Sequence, residues 1–193
     1  MPELPEVEVS RQGIEPGLVG QTISEIVVRT AKLRWAVPEA IHQTHGHIIR
    51  SVTRRAKYLF INTDAGSVIL HLGMTGFLRV FAQSTALKKH DHLDINLSNG
   101  QCLRFNDARK FGACLWQGID DEPHVLLSAL GPEPLTDDFT QDHLHARAQG
   151  RTCTVKQFVM DNKNVVGVGN IYANEALFLA KIAPKRAAGK ISA

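Results

Sequence analysis

The first eight residues, MPELPEVE, place a proline directly after the initiator methionine and carboxylates at Glu3 and Glu6. Methionine before proline is commonly removed, and Pro2 would then be a secondary amine with a pKa near ~8, below the ~10.4 of lysine. Such an amine can attack an aldehyde-like carbon and form a cationic iminium, a strong electron sink. Glu6, one helical turn on, could orient it. These residues alone favour a plainer interpretation, a helix start with acids in its first turn.

A second stretch, DNKNVVGVGNIYANE, places Gly167 and Gly169 between two helical segments and Asn170 at the expected cap of the next helix. Backbone N–H groups without a Cβ in the way suit a phosphate. A helix hairpin with packing glycines has the same spacing, and the sequence leaves both interpretations open.

A third stretch, NDARKFGACLW, sets Arg109 and Lys110 beside Phe111 after a hairpin. At a loop tip, the aromatic ring can unstack a base step while the arginine hydrogen-bonds a base edge. The alternative is a core phenylalanine flanked by solvated charges.

Histidines are the candidate metal ligands, in HQTHGH (His42, His45 and His47) and in HDH (His90 and His92). An H-x-H pair on a strand places both imidazoles on one face. The pattern is weakly specific, so surface or phosphate contacts are the stronger expectation.

Composition limits the remaining classes. The 193 residues are 44% hydrophobic with a net charge of +3, a mild bias towards polyanions. Cys102, Cys114 and Cys153 are odd in number and form no C-x-x-C pair, which excludes a disulfide framework and predicts reduced, buried thiols. Neither a membrane span nor a signal peptide is evident, and a cytoplasmic location is expected.

The elements that position these residues are mainly strands, then helices. A helix is predicted over 6–18, followed by short strands from Thr22 to Gln117 that indicate an antiparallel sandwich or barrel. Asn99-Gly100 predicts a hairpin with a type I′ turn.

The pattern changes after LGPEPL, where two prolines form a stiff connector and Thr136 to Asp138 resemble a helix start. Three helical segments follow, and the last, NIYANEALFLAKI, has the composition of a buried helix. The chain is therefore predicted to be α+β, with a β-sandwich domain over 1–131 and a helical domain over 132–193.

Seven motifs occur in order: MPELPEVE, RRAKYL, HLGMTG, KHDH, DARKFG, LGPEPL and DNKNVVGVGNIYANE. Together they resemble the bacterial formamidopyrimidine-DNA glycosylase family over essentially the whole chain. The related endonuclease VIII branch usually opens MPEGPE and lacks an Arg-x-Phe wedge, so Leu4, Arg109 and Phe111 favour the purine-lesion branch. The resemblance implies that the helical part is a helix-two-turn-helix domain.

The resemblance also implies a base-excision repair glycosylase and abasic-site lyase acting on 8-oxoguanine and ring-opened purines in double-stranded DNA. Pro2 would attack C1′ of a flipped nucleotide, because C1′ is out of reach within the stack. Glu3 would be the acid, and Lys57 would serve β-elimination and contact a phosphate. Glu6 joins the predicted catalytic residues because of its spacing, one helical turn from the amine.

The family pattern assigns the DNA contacts as well. Met74, Arg109 and Phe111 would fill the vacated space and contact the widowed cytosine. The implied DNA-binding positions are His90, Arg109, Arg151, Lys156 and Asn170.

Family members continue with a lesion-covering loop and a four-cysteine zinc finger, whereas this sequence stops at AAGKISA. We therefore expect a C-terminally truncated monomer with no metal or cofactor in this chain, weakened DNA affinity and little excision of 8-oxoguanine. One alternative is a remnant that binds DNA without efficient excision, and another is a metal-dependent nuclease built on His90, Asp91 and His92.

Overall fold

The computed structural model describes residues 2–192, which divide into two compact units, the first ending at His124 and the second starting at Val125. The first unit holds one helix and two antiparallel sheets, and the second is helical, so the α+β prediction is confirmed. Within the described residues, no helix is long and apolar enough to cross a membrane.

The strands of the first unit are β1 Ile23–Val28, β2 Ser51–Arg55, β3 Tyr58–Thr63, β4 Gly66–His71, β5 Phe77–Ala82, β6 Asp91–Leu97, β7 Gln101–Asn106 and β8 Ala113–Gly118. They form two four-stranded sheets, one in the order β1-β6-β7-β5 and the other in the order β2-β3-β4-β8. Alternating apolar residues such as Leu59, Ile61 and Phe105 are fully buried in one core cluster that draws on both sheets. A short 3₁₀ helix, Glu39–Thr44, lies between β1 and β2.

Helix α1, Leu4–Leu18, begins two residues before the predicted start. Glu3 is its N-cap, and the carboxylate of Glu6 accepts a hydrogen bond of 2.8 Å from the Glu3 N–H, as in a capping box. Val7, Ile14 and Leu18 form one buried stripe that packs the helix against the sheets. The chain start is therefore held in place by both capping and burial.

The hairpin between β6 and β7 is confirmed, but the type I′ turn is wrong. Gly100 has a φ of 82°, whereas Asn99 does not have a positive φ. The Gly100 N–H donates to the Leu97 carbonyl, and Asn99 Oδ1 accepts from the Gln101 N–H at 3.0 Å. The loop is therefore a three-residue connection with glycine in the left-handed position.

The second unit contains α2 Val125–Ser128, α3 Gln141–Ala148, α4 Val155–Met160, α5 Asn170–Leu179 and a 3₁₀ turn, Ala188–Lys190. The predicted helix start at Thr136 to Asp138 is wrong: Thr140 is the N-cap of α3, and its hydroxyl accepts from the His143 N–H at 3.0 Å. Asn170 is not a cap either, because Gly169 takes that position and Asn170 is the first helical residue.

Helix α5 is not the buried helix that its composition predicts. Ala173 and Leu177 are buried, whereas Ile171, Phe178 and Leu179 are 58%, 79% and 77% exposed. The thiols also depart from expectation in part, since Cys102 and Cys114 are buried but Cys153 is exposed. Burial raises the pKa of the Cys114 thiol to about 12, which makes it chemically inert.

Candidate active site

The start of α1 and the turn between β2 and β3 bring together Glu3, Glu6 and Lys57. Glu3 is 2% exposed and Lys57 is 8% exposed. Burial lowers the pKa of Lys57, and the charges of Glu3 and then Glu6 partly oppose that effect. Pro2, half-buried, directly precedes this cluster. All four predicted catalytic residues thus lie at one place in the first unit.

A strained backbone presents Lys57 at this place. Arg55 pairs with Tyr58, so Ala56 and Lys57 alone form the turn, and Ala56 has a φ of 52°. Arg54 donates to the Ala56 carbonyl at 2.9 Å and to Glu8 on α1 at 3.0 Å. A non-glycine residue in the left-handed region costs free energy and is found preferentially at functional sites.

His71 lies at the end of β4, and the sequence interpretation did not single it out. Burial, together with the charges of Arg34 and Lys57, lowers the pKa of His71 to about 4. Its Nδ1 accepts from the Gly73 N–H at 3.1 Å, and its ring lies 4.9 Å from that of Tyr58. The imidazole is therefore neutral at physiological pH, with the proton on Nε2.

The predicted wedge residues Met74, Arg109 and Phe111 line one pocket of about 600 Å³. The Arg109 guanidinium lies 4.5 Å from the centre of the Phe111 ring. Phe111 is 43% exposed and Met74 is 40% exposed, so the interpretation of Phe111 as a core residue is wrong. Arg34 and His71 line the same pocket.

His90 lies just before β6 with a φ of 74°, and its ring is 6.2 Å from that of His92. The two nitrogens of His92 already meet Thr30 Oγ1 at 2.8 Å and the Asp107 carbonyl at 2.7 Å. Asp91 is likewise engaged, since it accepts from the Lys88 N–H and from Asn106. The His90, Asp91 and His92 metal site is therefore not supported.

Across the described residues, no group of three or more His, Cys, Asp or Glu could hold a metal ion. The zinc that the family resemblance implies would need four cysteines, and of the three present two are buried thiols. Residues 2–192 do not fit that metal.

The predicted contacts of the second unit lie around α4 and α5. Arg151 is exposed before α4, Lys156 is half-buried in its first turn, and Asn170 is exposed at the start of α5. The turn before α5 depends on Gly167, which has a φ of 83° and whose N–H donates to Asn162 Oδ1 at 3.3 Å. Gly167 therefore serves the turn conformation, and both sequence interpretations of the glycine turn, phosphate contact and packing, stay predictions.

Asp107 is the first residue of the DARKFG motif, and the sequence interpretation assigned no role to it. It is fully buried, and Oδ1 accepts from the Arg109 N–H at 3.2 Å. An aspartate that bonds the backbone two residues on is an Asx turn, so the sequence did contain this signal.

Comparison with known proteins gives consistent matches. Residues 1–114 match the family model for the formamidopyrimidine-DNA glycosylase N-terminal domain, and residues 130–193 match that for the formamidopyrimidine-DNA glycosylase H2TH domain. The chain is 62% identical to formamidopyrimidine-DNA glycosylase of Photobacterium profundum and 60% identical to that of Pseudoalteromonas atlantica. Each match covers 100% of this chain and 71% of the relative.

Solved structures agree. The Lactococcus lactis formamidopyrimidine-DNA glycosylase, non-covalently bound to DNA with an abasic site, superposes with a TM-score of 0.91 at 32% identity over 98% of this chain and 74% of that chain. A MutM complex with DNA containing carbocyclic 8-oxoguanine gives a TM-score of 0.91 at 34% identity over 99% of this chain and 72% of that chain.

Proposed function

The chain belongs to the formamidopyrimidine-DNA glycosylase family, and from this premise we propose that Pro2, Glu3 and Lys57 carry out its chemistry. The family activity is base-excision repair, in which a glycosylase acts on oxidised purines and abasic sites in DNA. The observation that carries the assignment is the burial of Lys57 beside Glu3 and Glu6. Pro2 directly precedes Glu3 in the chain, so its nitrogen belongs to the same cluster.

Once Met1 is removed, the Pro2 nitrogen attacks C1′ of the flipped nucleotide. The C1′–N9 bond breaks, its electron pair leaves with the base, and the base takes up a proton. Glu3 takes the proton that the Pro2 nitrogen loses after its attack and passes it to the sugar ring oxygen as the C1′–O4′ bond opens, which leaves a Pro2 iminium. Glu3 is buried, so this proton transfer takes place out of contact with bulk water.

Lys57 serves the elimination step. Burial lowers its pKa, so a larger fraction of the amine can accept a proton from C2′ than at an exposed lysine. Loss of that proton expels the 3′ phosphate and cleaves the strand. Glu6 keeps the capping bond to the Glu3 N–H and so fixes the place of the preceding amine.

DNA binding involves both units. We propose that Met74, Arg109 and Phe111 enter the base stack, since all three are at least partly exposed around one pocket. Phosphate contacts are assigned to Lys57, His90, Arg151, Lys156 and Asn170. Because Pro2, Glu3 and Lys57 belong to one unit of one chain, we propose that the protein acts as a monomer. We also propose a cytoplasmic location, because the DNA substrate lies in the bacterial cytoplasm.

Borohydride trapping tests the proposal. The chain is incubated with an abasic-site duplex and with an 8-oxoguanine duplex, with and without EDTA, and covalent adducts are counted. We expect an EDTA-insensitive adduct that disappears when an N-terminal extension blocks Pro2. Binding without any adduct would support the non-catalytic alternative, and an adduct formed equally well by the blocked chain would overturn the role of Pro2.

A further inference from the structure

Two loops that are distant in sequence carry the wedge residues. The loop over 72–76, between β4 and β5, carries Met74, and the loop over 107–112, between β7 and β8, carries Arg109 and Phe111. Side chains on two separate loops can enter one gap in DNA together only if the loops keep a fixed relation. The structure contains a specific link between them.

The link is a hydrogen-bond network centred on Asp107. The Thr75 hydroxyl donates to Asp107 Oδ1 at 2.5 Å and accepts from the Arg109 N–H at 3.2 Å. Asp107 Oδ2 accepts from the Gly112 N–H at 2.8 Å, on the far side of Phe111. One carboxylate and one hydroxyl therefore bond the backbone on both sides of Phe111 and connect it to the loop of Met74.

The backbones of the two loops are also in direct contact. A Cβ added at Gly73 would lie 2.5 Å from the Phe111 carbonyl carbon and closer still to the Gly112 nitrogen. A Cβ added at Gly112 would lie 2.6 Å from the His71 carbonyl oxygen. Glycine is required at both positions, and the loops pack without intervening side chains.

The loop over 107–112 has a strained backbone, and hydrogen bonds hold both of its ends. Lys110, between Arg109 and Phe111, has a φ of 56°, which persists only when surrounding bonds hold it. The Asp107 carbonyl accepts from His92 Nε2 on β6 at 2.7 Å. The strain therefore lies between two anchored ends, at Asp107 and at Gly112.

We propose that Thr75 and Asp107 are positioning residues that hold Met74, Arg109 and Phe111 as one preformed wedge. Neither side chain contacts the reacting atoms; each acts through the backbone of the residues that enter the stack. This inference rests on the proposed function, because it assumes that the wedge enters DNA. It assigns to the DARKFG aspartate and the HLGMTG threonine a joint role in extruding the nucleotide.

Thr75→Val and Thr75→Ser form the matched pair for the test. Valine keeps the shape but loses the hydroxyl that donates to Asp107 and accepts from Arg109, whereas serine keeps it. The probe is a duplex with a tetrahydrofuran abasic analogue opposite cytosine and 2-aminopurine beside that cytosine, whose fluorescence rises when the stack is opened. Borohydride trapping on an abasic duplex and thermal unfolding are measured on the same proteins.

We expect Thr75→Val to need about tenfold more protein for half of the 2-aminopurine signal, the scale of a lost hydrogen bond to a charged group. Thr75→Ser should match the unmodified chain. At saturating protein the trapping rate should change by less than about twofold in both variants, because it then depends on the chemistry at Pro2 and not on the affinity that the wedge provides. Asp107→Asn, which keeps the shape but weakens the acceptor, should resemble Thr75→Val.

Two results would overturn the inference: a Thr75→Val signal equal to that of the unmodified chain, or no 2-aminopurine signal from an unmodified chain that traps normally. Equal losses of signal and trapping in Thr75→Val, with a lowered melting temperature, would assign a purely structural role and also overturn it. Absence of trapping by the unmodified chain would instead contradict the proposed function, while the 2-aminopurine comparison would still decide the positioning role.

Discussion

Replacing Phe111 by alanine removes a ring that is 43% exposed and lies 4.5 Å from the Arg109 guanidinium. Full burial of such a ring contributes roughly 1.5–3 kcal/mol, so this half-exposed ring should stabilise the fold by only about 1–2 kcal/mol. On DNA, the Phe111 ring should instead offset part of the free-energy cost of opening the base stack. Unstacking a base step costs a few kcal/mol, and a ring that offsets this cost should speed excision from intact duplex by about 10- to 100-fold.

Phe77 is the matched control, because it is 42% exposed and has the Arg79 guanidinium 5.4 Å from its ring centre, but does not line the wedge pocket. Phe77→Ala and Phe111→Ala should lower the melting temperature by similar amounts. The assay is the ratio of trapping rates on an 8-oxoguanine duplex and on a preformed abasic duplex. That ratio should fall only for Phe111→Ala. An equal fall for both variants, or none for either, would refute the reasoning.

Three other perturbations have outcomes that the structure specifies. Glu3→Gln should reduce excision by about 10²- to 10⁴-fold while leaving DNA binding nearly unchanged. The substitution also removes a negative charge that raises the pKa of Lys57, so the acid limb of the lyase pH profile should move to lower pH. An acid limb that does not move would contradict the electrostatic coupling of Glu3 to Lys57. Asp94→Ala should destabilise the first unit by about 2–3 kcal/mol, because the buried Arg104 guanidinium loses the carboxylate that it contacts at 2.9 Å and keeps that of Asp91 at 3.6 Å. Calorimetry showing a loss of less than about 1 kcal/mol would contradict this. Lys156→Ala should make the slope of log binding constant against log salt concentration less negative by about one, because one phosphate contact is lost. An unchanged slope would show that Lys156 does not contact a phosphate.

The stability contribution of Asp94 has a defined pH window. Burial would raise its pKa, but hydrogen bonds from Arg104 and Arg29 outweigh burial and hold the pKa below the ordinary value. A depressed pKa in the folded state stabilises the fold above the unfolded pKa of about 3.9 and loses that effect as pH falls through the folded pKa. The stability difference between the unmodified chain and Asp94→Ala should therefore be largest near neutral pH and shrink below pH of about 4.

Local patterns predicted the elements well. The alternation before and after Asn99-Gly100 predicted the β6–β7 hairpin, because register follows from which face of each strand is buried. The turn type was wrong because Asn99 can use its side chain to bond the Gln101 N–H instead of adopting a positive φ. An Asn-Gly pair in a sequence predicts a turn. It does not show whether the strands are joined by a two-residue type I′ turn or by a three-residue loop, because that depends on the register of the two strands.

Residues whose role depends on long-range partners could not be predicted. His92 was a candidate metal ligand until strand pairing placed Thr30 and the Asp107 carbonyl against its two nitrogens. No sequence pattern indicated His71, because its low pKa arises from burial and from the charges of Arg34 and Lys57, which are distant in sequence. The exposure of α5 was missed for a similar reason, since composition records apolar residues but not what packs on them.

The central claim is that the Pro2 nitrogen is the nucleophile, and the most direct measurement is the site of the trapped adduct. The chain is reduced with borohydride on an abasic-site duplex, digested with protease and nuclease, and the modified peptide is sequenced by mass spectrometry. We predict that the sugar remnant lies on the amino-terminal peptide, at the nitrogen of Pro2 after loss of Met1. A remnant on the Lys57 peptide instead would contradict the account.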